Sequence, residues 1–345
     1  MKAAVYYGPK KLEIKEVETP KIGDNEILIR VRAVGLCPSD IRTYNFGNPH
    51  VNPPIIPGHE IAGEVAEVGK NVEEISIGDR VNIPADAFCG KCEMCRRGHE
   101  NLCDNPISYG YNINGAYAEY LRVPRRFIEH GEVFQLPSNI SFEEATFAEP
   151  VACCINAILK ARVGFGSTVT IIGDGPMGLT DVQLAKLFGA DTVIISGHHG
   201  QRLNIAKSIG ADYTINSSKT DAVKKIAELT NEKGADAVIT TITTPTTIEQ
   251  ATKIVGKHGI VVVFGGSPRG TTVTIDPNII HYSEAYIVGS EGYTMAMYET
   301  AFNLITKHKI NVKKLISHEY KLDDLLEAIT MSQKKEKALK IIIGP

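Results

Sequence analysis

A chain of 345 residues is longer than one hydrophobic core ordinarily serves, so two domains are expected. With 43% hydrophobic residues, 22% charged residues and a net charge of -3, it has no basic field to hold a polyanion, which argues against a nucleic-acid partner. Apolar runs such as VTII and IVVVF are strand-sized and far below the ~20 residues of a bilayer span. The opening MKAAVYYGPKKLEI lacks the features of a secretory leader, so the expectation is a cytoplasmic protein without a membrane partner.

From the amino terminus, AAVYY, EILIRVRAV, IAGEVAEVG, DRVNI and AEYLRV are short β-type runs separated by Gly, Pro and Asp. They predict a β-rich barrel or sandwich over about the first 150 residues. The pattern changes at STVTIIGDGPMGLTDVQLAKLFGADTVIISG, where a buried strand, a glycine turn, an amphipathic segment and a second strand make a βαβ unit. Strand-like DYTIN, DAVITTI, GIVVVFGG and AYIVGS alternate with helix-like TDAVKKIAELTNEKG and TTIEQATKIVGKHG. A doubly wound parallel sheet is therefore expected over 153–290. The remainder, 291–345, offers two helices and a final strand able to rejoin the first domain.

Seven cysteines are present, and four of them fall in CGKCEMCRRGHENLC. Cys89, Cys92, Cys95 and Cys103 supply the four thiolates of a closed tetrahedral zinc site, within a lobe of about 86–104. Such a site leaves no position for a substrate, so its expected role is structural. A disulfide pair, a redox dithiol and a nucleic-acid zinc ribbon are the competing readings.

Gly173, Gly175 and Gly178, with Pro176 and Met177 between them, form G-x-G-x-x-G after one predicted strand and before a helix. That context suits a dinucleotide pyrophosphate. Asp174 places a carboxylate within the turn, so its side chain must point away or be screened. The second strand runs into Gly197, His198, His199 and Arg202 with no acidic residue for a ribose 2′-hydroxyl. A small residue followed by basic ones favours NADP, whereas solvated loop residues would let NAD serve equally.

Cys37, His59 and Glu149 are suitable zinc ligands, and three protein ligands would leave an open coordination position. Taken singly, each also reads as a buried thiol, a core histidine or a surface acid.

The motifs G-x-C-x-S-D at 35–40, P-G-H-E-x-x-G-x-V at 57–65 and G-D-R-V at 78–81, with the four-cysteine lobe and glycine turn, run in order along the chain. It resembles the zinc-dependent medium-chain dehydrogenases of the alcohol dehydrogenase superfamily, in their polyol (sorbitol or iditol) branch. The resemblance implies an α/β fold: a GroES-like catalytic domain at 1–152, a Rossmann domain at 153–290, and 291–345 returning to the catalytic domain. It implies two zinc ions per chain, the structural one on the four clustered cysteines. The catalytic one falls on Cys37 and His59, with Glu60 and Glu149 as candidates to complete it. Ser39 falls on the hydroxyl that begins the proton relay, and Asp40 on a group orienting His59. Arg42 stands where several relatives continue that relay with histidine, and it cannot shuttle protons at neutral pH. Arg42, Thr43, Tyr44, Asn112 and Glu119 are candidate lining residues. The implied reaction is hydride transfer between a secondary alcohol of a polyol or sugar and NAD(P). A threonine dehydrogenase, a simple secondary alcohol dehydrogenase and a silent dinucleotide-binding protein are the alternatives. Relatives are commonly homodimers or homotetramers.

Overall fold

The computed structural model describes residues 1–334 and 336–345. Two compact units divide the chain: Met1–Pro150 with Thr294–Pro345, and Val151–Tyr293.

In the first unit a seven-stranded sheet runs in the order Ile316–Lys321, Lys340–Gly344, Ile27–Gly35, Glu60–Val68, Arg80–Ile83 and Phe134–Gln135, with Tyr120–Val123 also paired to Ile27–Gly35. Ile29, Val31, Ile61, Val65, Val81, Ile341 and Ile343 interlock in its core, so the final strand contributes to the same apolar interior as the early ones. It pairs antiparallel with Ile27–Gly35, Ile343 opposite Val34. A buried polar knot also ties the carboxyl-terminal segment in. The Tyr298 hydroxyl donates to Asn82 Oδ1 at 2.7 Å, and Asn82 Nδ2 donates to the carbonyls of Ile61 and Ala145 at 2.7 and 3.1 Å.

The second unit is a six-stranded parallel sheet in the order Tyr213–Asn216, Thr192–Gly197, Thr168–Ile172, Ala235–Thr240, Val255–Val263, Tyr286–Gly289. This is the doubly wound order, whose switch point lies beside Thr168–Ile172, the strand that leads into the glycine turn. Ile172, Ile194, Val238 and Val261 fill one core between the sheet and its helices.

Two elements differ from the sequence expectation. Ile316–Lys321 is a strand outside the sequence expectation. It lies at the sheet edge with alternating partial exposure, and an edge strand that keeps charge on one face carries a weak apolar signal. Residues Val255–His258, read as the end of a helix, instead begin the strand Val255–Val263, because the helix Pro245–Ile254 stops before them.

Candidate active site

The register of two strands builds the first cluster. Gly35 ends one strand opposite Glu60, which begins its antiparallel neighbour. Cys37, two residues beyond Gly35, and His59, one residue before Glu60, are thereby delivered to one sheet end. Cys37 is the extended residue that starts the helix Pro38–Phe46, with a proline in its first position, where a missing N–H costs nothing. The Asp40 carboxylate accepts the Cys37 N–H at 3.3 Å, and the Ser39 hydroxyl donates to Cys37 Sγ at 3.1 Å. One ligand atom each from Cys37, His59 and Glu60 lies within 4.8 Å of the others.

His59 and Glu60 are buried, and each has a charged neighbour. Asp40 Oδ1 lies 3.4 Å from His59 Nδ1, while Tyr117 donates its hydroxyl to Asp40 Oδ2 at 2.8 Å. Burial opposes ionisation of Asp40, but His59, Tyr117 and the Cys37 N–H outweigh it and hold the carboxyl below its ordinary range. Glu60 forms a buried ion pair with Lys340 on the final strand. Burial works against the Lys340 charge, and Glu60, with Cys37 and Glu149 beside it, more than restores it, so the lysine stays ionised. Glu149 lies in the first turn of the helix Ala148–Lys160 and is outside the trio. Burial pushes its carboxyl up to about 7, with His59 pulling down and Glu60 pushing up. The Tyr111 ring sits 5.9 Å from the His59 ring. Its hydroxyl meets Ser39, and burial pushes it up to about 12.

The second cluster is local. Sγ of Cys89, Cys92, Cys95 and Cys103 lie within 4.8 Å of one another, with Cys89–Cys95 and Cys92–Cys103 both at 4.0 Å. A disulfide needs sulfurs about 2.05 Å apart, whereas a tetrahedron of Zn–S bonds of about 2.3 Å has edges of about 3.8 Å. The spacing suits a tetrahedral ion and excludes a disulfide in this state. Backbone N–H groups of Cys89, Cys92, Cys95 and Asn105 point at sulfur from 3.3 to 3.5 Å, as thiolates require. The Lys91 and Cys92 N–H groups draw Cys89 down to about 6, whereas burial drives Cys95 up to about 12. The four sulfurs are therefore unequal until a cation equalises them.

In the second unit the three glycines have separate reasons. Gly173 has φ 122°, and a Cβ there would meet Thr241 Oγ1 at 2.3 Å. A Cβ on Gly178 would lie 2.0 Å from the Gly173 carbonyl oxygen, so this glycine lets helix and strand close up. Gly175 caps the helix Pro176–Leu187 with φ -78°, and nothing lies within 4 Å of its missing Cβ. No neighbour in the fold demands that glycine. An open amide at a helix amino terminus is what close approach of a phosphate requires. Asp174, the carboxylate within the turn, is 2% exposed and directed to the end of the next strand. There it accepts the N–H groups of His198 and His199 at 2.8 and 2.7 Å.

Residues 23–137 match the model of the alcohol dehydrogenase GroES-like domain, and residues 176–307 that of the zinc-binding dehydrogenase. The sorbitol dehydrogenase of Bacillus subtilis is 34% identical, covering 100% of this chain and 97% of that protein. The L-threonine 3-dehydrogenase of Pyrococcus furiosus is 34% identical, covering 99% and 97%. A zinc-binding dehydrogenase from Sinorhizobium meliloti, solved bound to NADP, superposes with a TM-score of 0.92 at 31% identity, covering 100% and 99% of the two chains. The chain is a zinc-binding dehydrogenase of the alcohol dehydrogenase family. It is accordingly a zinc-dependent enzyme that uses a nicotinamide cofactor.

Several of the residues expected at the site have partners within the chain. His199 and Arg202, expected to face a 2′-phosphate, are both turned onto Asp174. A Cβ on Gly197 would lie 2.4 Å from Asp174 Cβ, Cγ and Oδ2, so the room it leaves is taken by that side chain. Among the proposed lining residues, Glu119 accepts the Lys2 N–H at 2.7 Å, and Asn112 closes a turn through Ser108 N–H and the Pro106 carbonyl. Lys340, Tyr111 and Tyr117 join the cluster without being among the sequence candidates. For Lys340 the available signal is a lysine opening the otherwise apolar KIIIG strand. For the two tyrosines the sequence carries none, since their contacts join residues far apart in the chain. No helix among the described residues is long and apolar enough to cross a membrane.

Proposed function

We propose that this enzyme moves hydride between a secondary alcohol of a polyol or sugar alcohol and NAD(P), with NADP favoured. The observation that carries the reading is the Cys37–His59–Glu60 cluster, with the Ser39 hydroxyl directed at its sulfur. One thiolate, one imidazole and one carboxylate are a donor set that zinc accepts. Cys37 and His59 would hold the catalytic zinc, with Glu60 or Glu149 completing its shell, and Cys89, Cys92, Cys95 and Cys103 the structural one. When bound, the zinc supplies Lewis acidity toward an alcohol oxygen and the nicotinamide accepts the hydride.

The chain's own residues set the conditions. Asp40 orients the His59 ring through Nδ1, which leaves Nε2 to ligate. Lys340 balances the Glu60 carboxylate, so Glu60 can stand off the metal without being left as an uncompensated buried charge. Ser39 would take the proton of the substrate hydroxyl while passing its own to the Tyr111 oxygen, which in turn hands one to solvent. Tyr111, held protonated, is the next hydroxyl along, in place of the histidine relay that Arg42 interrupts. In the second unit the open amide of Gly175 and the turn from Gly173 through Pro176 and Met177 to Gly178 receive the pyrophosphate. Gly197 and His198 lie toward the adenosine end, with His199 and Arg202 behind them, held on Asp174.

The sorbitol dehydrogenase relative and the glutamate at position 149 support a polyol substrate, and the NADP-bound relative supports the cofactor preference. L-Threonine is the second reading, because the threonine dehydrogenase relative is equally identical. A cytoplasmic homodimer or homotetramer is the assembly we propose. A spectrophotometric screen of polyols, sugars, simple alcohols and threonine with both cofactors, on protein of measured zinc content, tests the reading. Reduction of NADP by a polyol is the expected result. Turnover of threonine with none of any polyol would reverse the order of the two substrates.

A further inference from the structure

In the second unit, Asp174 occupies what is otherwise an anion site. Two consecutive amide N–H groups, those of His198 and His199, converge on its Oδ2 at 2.8 and 2.7 Å. They lie just before the helix Gly200–Ser208, whose amino terminus adds its dipole. The imidazole of His199 faces it from Nδ1 at 3.0 Å, and the Arg202 guanidinium from 3.6 Å. Paired N–H groups, an imidazole and a guanidinium form the donor set that ordinarily receives a phosphate. Here an internal carboxylate, 2% exposed, fills it, and Gly197 has no side chain because Asp174 lies there. Arg202 is itself 8% exposed, whereas His198 is the exposed member of the loop.

We infer that Asp174 determines how strongly the adenosine end of the site discriminates between NADP and NAD. Its carboxylate sits among the donors a 2′-phosphate would use. It holds His199 and Arg202 inward and repels the phosphate directly. A ribose 2′-hydroxyl carries no charge and escapes that penalty. Asp174 therefore restrains NADP preference and keeps NAD usable on a loop with no acidic residue of its own. This rests on the reading that the unit binds a nicotinamide dinucleotide.

The test uses the full-length zinc-loaded enzyme and two probes that need no turnover, adenosine 2′,5′-bisphosphate and AMP, titrated by calorimetry. For Asp174→Asn the expected result is at least tenfold tighter bisphosphate binding, with AMP changed less than threefold. Adding Arg202→Gln to that variant should return the ratio to the wild-type value, since the freed guanidinium is the source of the gain. Arg202→Gln alone should leave the ratio within threefold, and this arm stands even where Asp174→Asn melts early. Equal weakening of both probes by Asp174→Asn, or a tenfold loss of bisphosphate binding from Arg202→Gln alone, would overturn the assignment. Wild-type enzyme that binds neither probe would instead overturn the dinucleotide reading beneath it.

Discussion

Gly35 and Glu60 face each other across two antiparallel strands so closely that a Cβ on Gly35 would lie 1.7 Å from Glu60 Oε2. The glycine makes room for a carboxylate, and Lys340 from the final strand balances that carboxylate's charge. One end of the sheet thus combines a steric allowance, a buried acid and its counter-ion within reach of Cys37 and His59.

Removing Lys340 should therefore strand Glu60. A buried ion pair that loses one partner costs about 3–5 kcal/mol. Lys340→Met is expected to lose that much in urea unfolding of the metal-free protein. The double variant with Glu60→Gln should recover most of it. Full stability in the single variant would show that the pair is not the charge balance described.

Metal content should separate the two clusters. Cys37→Ser and His59→Ala are expected to lower zinc from two ions per chain to one, and dehydrogenase activity at least a hundredfold, with the fold retained. Cys92→Ser should also leave one ion but lower the melting temperature, because that lobe is held by its four sulfurs. Native mass spectrometry with thermal melts reads both. A Cys37→Ser enzyme with two zinc ions and full activity would remove the catalytic assignment.

The glycine turn makes a sharper distinction. Gly178→Ala places a methyl 2.0 Å from a carbonyl oxygen, whereas Gly175→Ala meets nothing within 4 Å at an ordinary φ. Gly178→Ala is thus expected to lower stability and cofactor binding together. Gly175→Ala should leave the melting temperature unchanged and weaken NADPH binding about tenfold or more. Nicotinamide fluorescence can follow this cleanly in a chain without tryptophan. Undiminished binding in Gly175→Ala would mean that no phosphate approaches there.

Glu132 gives the pH prediction. It is 3% exposed, and Oε2 has no hydrogen-bond partner. Burial pushes its carboxyl from 4.5 up to about 8; Glu100 and Asp86 add to this, and Arg126 opposes it. The native state keeps a proton that the unfolded chain releases above about pH 4.5. This group's stabilisation is complete below that pH and is lost as pH rises through 8, by on the order of 5 kcal/mol in total. Glu132→Gln should flatten the decline between pH 5 and 9 in urea midpoints. An unchanged slope would exclude Glu132 as its source.

The amino-acid sequence by itself determined the fold class and the chemistry on offer. Alternating apolar runs, a glycine turn between strand and helix, and four cysteines within fifteen residues are local patterns. Local spacing survives whatever the rest of the chain does. The meeting of Cys37 with His59 and Glu60 depends on the pairing of Gly35 with Glu60, a register that no single segment contains. Lys340 reaches Glu60 only because the last strand returns to the first unit's sheet. The direction of Asp174 was likewise a tertiary matter: the same G-D-G can face solvent or the next strand, and Gly197 leaves the space that decides it. Side chains separated by tens or hundreds of residues become neighbours through packing and charge compensation, and those are properties of the folded whole.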